Sequence, residues 1–84
     1  MSALARALEL APIIERVHGS GHSELTRVRE LTEQISGSTE PETASALFQQ
    51  LREVTNNYAL PEDACEAFQE TYASLEAAEA ELTQ

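Results

Sequence analysis

The sequence predicts an all-α protein, a small up-down-up-down four-helix bundle that occupies residues 1–84 as a single domain. Three observations predict it. Apolar residues recur at three- and four-residue spacing in four successive segments, the period of a helix with one buried face. Glycine or proline stands between those segments at short intervals, and short connections favour antiparallel neighbours. No stretch alternates apolar and polar residues as a half-buried strand would, and there is no repeat or low-complexity segment.

The first helix is expected over residues 3–18, with Leu4, Leu8, Ala11, Ile14 and Val17 inward. Pro12 lies inside it, so the helix either kinks there or begins in earnest around it, because proline removes a donor and clashes with the preceding turn. Gly19 and Gly21 are expected to end it in the left-handed conformation. The second helix, 23–36, turns Leu25, Val28, Leu31 or Thr32, and Ile35 inward, with Ser23 as N-cap and Gly37 as its stop. The third, 41–56, starts at Pro41, capped by Glu40 or Thr39, and buries Ala44, Leu47, Phe48, Leu51 and Val54. Asn56 or Asn57 can end it left-handed. The fourth, 61–83, opens on Pro61-Glu62-Asp63, where proline and two acids suit a helix start. Its inner stripe is Cys65, Phe68, Tyr72, Leu75 and Leu82, and its outer face carries Glu62, Asp63, Glu66, Glu70, Glu76, Glu79 and Glu81.

Composition narrows the function classes. The chain has 84 residues and a formal charge of −10. All five basic residues are arginine, and none follows Arg52. Phosphate binding relies on clustered Lys and Arg, so no nucleic acid is expected as a partner, and anionic membrane surfaces are disfavoured for the same reason. No apolar run approaches the roughly 20 residues of a membrane span. The first residues, Met1 to Arg6, read as amphipathic helix and not as a signal peptide. The single cysteine, Cys65, cannot form an internal disulfide, which suits a reducing compartment, and a cytoplasmic location is expected.

Two segments carry a family resemblance. Glu15-Arg16-Val17-His18-Gly19-Ser20-Gly21-His22-Ser23-Glu24-Leu25 is similar to a V-H-G-x-x-H-P-E-L turn, with Ser23 in place of the proline. Leu51-Arg52-Glu53-Val54-Thr55-Asn56-Asn57-Tyr58, continued by Pro61, Ala64, Cys65, Tyr72 and Leu82, resembles a T-N-N-x-x-x-P-x-x-A-C turn and the helix after it. Both turns are those of the hemerythrin-like domain of the iron-sulfur cluster repair di-iron family (RIC type), which responds to nitrosative and oxidative stress, and the chain resembles that domain. The resemblance covers Leu10 to Ile35 and Ala44 to Leu82.

The same resemblance implies that the iron ligands are missing. The family's first ligand histidine lies upstream of a segment like Leu4 to Val17. Gly37 ends the second helix before its His-x-x-x-Glu pair, Pro41 stands where a histidine would be, and the fourth helix reaches Gln84 where its own His-x-x-x-Glu would begin. The family's separate N-terminal domain with paired cysteines is missing too. In an up-down-up-down bundle these positions share one pole, so the expected molecule keeps the opposite pole and needs no metal to pack.

The remaining candidate chemistry is sparse. His18 and His22 are weak adventitious metal ligands, with Glu24 as a third donor; Gly19 and Gly21 argue against a shared helix face and favour a turn-bonding role. Cys65 could sense oxidants, but its place on the inner stripe predicts burial. Tyr58 and Tyr72 are expected to pack with their hydroxyls near solvent. No catalytic, cofactor or metal site is therefore expected, and no enzymatic activity. The expected function is a metal-free protein-interaction or regulatory module, a homodimer or the partner of another protein. The alternative is a di-iron stress-response protein for repair of iron-sulfur clusters damaged by nitric oxide or oxidants, with ligands supplied by another chain.

Overall fold

The computed structural model describes residues 2–83, and within them the protein is all-helical with no strand. Four helices follow one another: α1 (Ala3–His18), α2 (Glu24–Gly37), α3 (Pro41–Thr55) and α4 (Glu66–Leu82). α1 packs against both α4 and α2, α2 against α3, and α3 against α4; the α1–α4 packing is the most extensive and the α3–α4 packing the least. One core unites them. Phe48 and Phe68 are its largest fully buried side chains, joined by Ile14, Leu25, Leu31, Leu51 and Leu75.

The inner faces of α2 and α3 follow the apolar period closely. Leu25, Val28, Leu31, Thr32 and Ile35 are all buried on α2, and Ala44, Leu47, Phe48 and Leu51 on α3. Both alternatives at Leu31 and Thr32 are thus inward. Thr32 satisfies its hydroxyl by donating to the Val28 carbonyl at 2.7 Å, so a polar residue sits in the core without an orphan donor. Val54 only flanks the core, and Thr55 is buried in its place.

α1 is rotated from the expected stripe. Its buried residues are Ala7, Leu10, Ala11 and Ile14, while Leu4 and Leu8 are half-buried and Val17 is 64% exposed. Ala11 and Ile14 are buried as expected, but the buried face turns through Ala7 and Leu10 on their other side, and Ala78 of α4 is buried too. The larger Leu8 and Val17 are left to the flanks. The helix runs unbroken through Pro12, whose side chain is exposed, and Ser2 caps it by accepting the Ala5 N–H at 3.1 Å.

The glycines do not work as expected. No glycine has positive φ. Gly19 closes α1 in right-handed conformation, its N–H donating to the Glu15 carbonyl at 2.8 Å, and a Cβ at this position would collide with that same oxygen. Close approach, not left-handed freedom, demands glycine there. α2 continues through Gly37 and ends because Ser38 is extended (φ −81°, ψ 137°). Ser23 is helical in conformation and makes no side-chain capping bond, so α2 starts instead from backbone bonds of Leu25 to His22 and Thr26 to Ser23. Left-handed backbone is concentrated in Asn56, Asn57 and Tyr58, with φ of 55°, 60° and 61°.

α4 begins five residues later than the proline suggests. Tyr58 packs on Tyr72, and its hydroxyl reaches Glu79. Tyr72 lies six residues into α4, so the chain must travel back roughly 9 Å, at about 1.5 Å per residue, before that helix can start. Pro61 to Ala64 form a single turn closed by the Ala64 N–H to the Pro61 carbonyl at 3.1 Å, and Cys65 is extended (φ −75°, ψ 174°). The helix then proceeds from Glu66, with the Gln69 amide side chain donating to the Ala64 carbonyl.

Candidate functional site

The connection 56–65 brings its polar residues onto two separate places. Its second half meets the α1–α2 turn. His18 ends α1 and His22 follows the two-glycine turn, so their rings stand 6.5 Å apart between centroids and both lie edge-on to Phe68, at 5.5 and 5.7 Å. His18 Nε2 is 3.2 Å from Cys65 Sγ. His22 Nε2 is 3.0 and 3.2 Å from the two Asp63 carboxylate oxygens, and its Nδ1 is 3.6 Å from the Glu24 carboxylate. Cys65 is exposed, contrary to its expected burial, because it precedes α4 in extended backbone and does not ride on the inner stripe.

The histidines bond within their own turn through their backbone, the His18 carbonyl accepting from the Gly21 and His22 N–H groups, while their Nε2 atoms point elsewhere. Each reaches across to the connection before α4, in two side-by-side pairs, His18 with Cys65 and His22 with Asp63. Among the described residues no group of three or more His, Cys, Asp or Glu side chains converges so as to hold a metal ion. His18, His22 and Glu24 thus do not form a shared coordination site as they stand.

The first half of the connection meets α4 through a different chemistry. Arg52 Nε donates to both Glu79 carboxylate oxygens, at 2.9 and 3.0 Å, and its guanidinium lies 4.9 Å from the centroid of the Tyr58 ring. Tyr58 donates its hydroxyl to Glu79 at 3.2 Å and its N–H to the Thr55 hydroxyl at 2.8 Å. Its ring stands 6.1 Å from Tyr72 in an edge-on arrangement. Burial, with the Glu79 charge beside it, holds the Tyr58 phenol well above its ordinary range. Burial, with Glu24 adding to it, pushes Tyr72 up to about 12. Both rings pack as expected, but the Tyr58 hydroxyl is bonded to Glu79 instead of standing free near solvent.

Glu79 was expected on the outer acidic face, and the structure moves it inward. The signal was in the period: Phe68, Tyr72, Leu75, Glu79 and Leu82 share one stripe at four- and three-residue steps. Glu70, on the same expected outer face, binds Arg6 of α1 through Nε at 3.1 Å and Nη2 at 2.6 Å. On the other side of α1, Thr26 and the Arg29 guanidinium hold the Glu15 carboxyl below the usual carboxylate range. No buried side-chain nitrogen or oxygen among the described residues is left without a partner.

A third feature lies where the start of α1, the end of α2, the start of α3 and the end of α4 come together. Leu4, Ile35, Pro41, Ala44 and Leu82 line a shallow recess there of about 200 Å³. Leu82 is 41% exposed at its rim. The expected core role of Leu82 is thereby corrected, since it stands at the rim of the recess and outside the buried core. Among the described residues no helix is long and apolar enough to cross a membrane. No family model matches the chain, and no curated protein or solved structure is significantly similar to it.

Proposed function

We propose that this chain is a metal-free protein-interaction or regulatory module, related to the hemerythrin-like domain of iron-sulfur cluster repair proteins, and that it pairs with a second copy of itself. In this reading the four helices alternate up-down-up-down, and the pairing surface is the end at which Leu4, Ile35, Ala44 and Leu82 gather. One observation carries it: the rim of that recess exposes Leu82, beside the half-buried Leu4, at a place lined by an end of each of the four helices. A second copy would cover these apolar groups while the acidic residues of α4 stay in water. Small domains commonly gain stability this way, because a core of short helices supplies only a few kcal/mol by itself. The reducing compartment suggested by a single cysteine makes the cytoplasm the proposed location.

The opposing force is charge, since two chains of formal charge −10 repel each other. Light scattering coupled to size exclusion at micromolar concentration, at low and high salt, tests the reading. A dimer mass that strengthens with salt is expected, and Leu82→Glu should return a monomer. A monomer mass for the unmodified protein at both salt levels would overturn self-association. Metal analysis after aerobic and anaerobic purification tests the other half: about two tightly held irons per chain would overturn the metal-free reading, and a chelator should leave the melting temperature unchanged.

A further inference from the structure

We propose that the Cys65–His18 pair is a reactive thiol site that exchanges with small disulfides. The reading is independent of self-association, since the pair lies in the α1–α2 turn region and not at the apolar recess. Three features of the structure combine in it. The sulfur is exposed, so a disulfide of low molecular weight can approach it. A ring nitrogen lies 3.2 Å from that sulfur, within reach of the thiol proton. The ring sits in a defined place: it ends α1 and lies edge-on to the fully buried Phe68.

The neighbouring pair sharpens the arrangement. Asp63, two residues before the cysteine, is the nearest upstream carboxylate in the chain, and His22 Nε2 binds both of its oxygens. That contact occupies Asp63 on the adjacent ring and leaves His18 to the sulfur. Glu62 and Glu66 remain as opposing charges in the connection and the first turn of α4, so the pair and not the general field must supply the reactivity.

The step is thiol–disulfide exchange. Cys65 Sγ attacks one sulfur of the disulfide as its proton passes to His18 Nε2; a new Cys65–S–S–R bond forms and the old S–S bond breaks, releasing R–S⁻. The imidazolium then returns the proton to the leaving thiolate. One thiol and one disulfide become one mixed disulfide and one thiol, and no other oxidant is needed.

The test is the second-order rate with 4,4′-dithiodipyridine, measured on the folded protein and on the same protein in denaturant. Folded Cys65 should react at least about tenfold faster than the unfolded thiol, in line with general-base assistance. His18→Gln should remove most of that gain, while Arg27→Gln, at a side chain bonded to Gln50 of α3, should stay within about threefold of the parent, with the melting curve of each variant recorded alongside. Oxidised glutathione should give a mixed disulfide on the folded chain, visible by mass. A folded rate equal to or below the unfolded rate would overturn the proposal, and that comparison decides it even if His18→Gln does not fold. An unchanged rate in a folded His18→Gln protein would overturn it as well.

Discussion

α4 meets its two neighbours in different ways. Against α1, whose inward residues are Ala7, Leu10, Ala11 and Ile14, the packing is extensive. Against α3 the packing is sparse, and a polar cluster of Arg52, Tyr58 and Glu79 closes the gap. The first seam is held by apolar area and close approach, which are non-directional. The second is held by directed bonds on a connection with three left-handed residues in succession. Left-handed backbone at a non-glycine residue costs on the order of 1 to 3 kcal/mol, so the bonds around Tyr58 must outweigh that strain. Where helices can touch, area suffices; where the connection holds them apart, the chain substitutes hydrogen bonds whose geometry has to be met.

The largest expected effect breaks the aromatic centre that serves both seams. Phe68 is fully buried, stands 5.0 Å from Tyr72 and carries both histidine rings. Phe68→Ala should destabilise the fold by about 3 to 5 kcal/mol, enough to unfold a marginal domain, as a denaturant titration would show. A near-native midpoint would mean that the core does not depend on this ring. Tyr58→Phe acts on the α3–α4 seam alone: it removes a hydrogen bond to a carboxylate and should lose about 1.5 to 3 kcal/mol while leaving helicity intact.

Alkali probes the same seam without mutation. The Tyr58 and Tyr72 phenols are held above their ordinary value in the folded chain, so the folded state binds protons that the unfolded state has released. Their contribution is complete below pH about 10 and is lost as pH rises through the folded values. The melting temperature should therefore fall above pH 10, and fall less steeply in Tyr58→Phe. An equal slope in the two proteins would remove Tyr58 from the account. Acid acts in the opposite sense on Glu15, whose lowered folded value gives stability above the ordinary carboxylate range that fades as pH drops through it. The smallest effect is expected at the exposed Arg6–Glu70 pair of the α1–α4 seam, where Arg6→Ala should leave the melting curve unchanged, because solvent and salt screen such contacts.

The fold was legible where burial and residue size agree. α2 and α3 present their large apolar residues at one period, and all of those residues but Val54 are buried. α1 was misread because it carries more apolar residues than one stripe holds: Leu4, Leu8 and Val17 continue the three- and four-residue steps through Ala11 and Ile14 on one side, while the buried face takes Ala7 and Leu10 on the other. The start of α4 was misread because Pro61, Glu62 and Asp63 are good first-turn residues wherever they occur, whereas the distance the chain must cover after Tyr58 is a tertiary fact. The candidate site was partly legible: the two histidines stood out, but their partners Cys65 and Asp63 lie more than forty residues away, and only packing brings them together. Glu79 could have been found, since it falls on the inner stripe of its own helix.

The three left-handed residues have a further consequence, in the order in which the molecule opens. Asn57 and Ala59 donate to Arg52 and Thr55 at the end of α3, while Asp63 and Cys65, a few residues on, are held by the histidines. Strain at Tyr58 lowers the free energy needed to release this connection relative to the helices around it, so its amides should lose protection against hydrogen exchange before those of α1 or α2. Such an opening is sub-global: it would leave the Phe48 and Leu51 core in place while carrying the thiol away from its imidazole. The exchange rate of the Tyr58 amide and the availability of the paired sulfur are then set by one local equilibrium, although the two lie at opposite ends of the same ten residues.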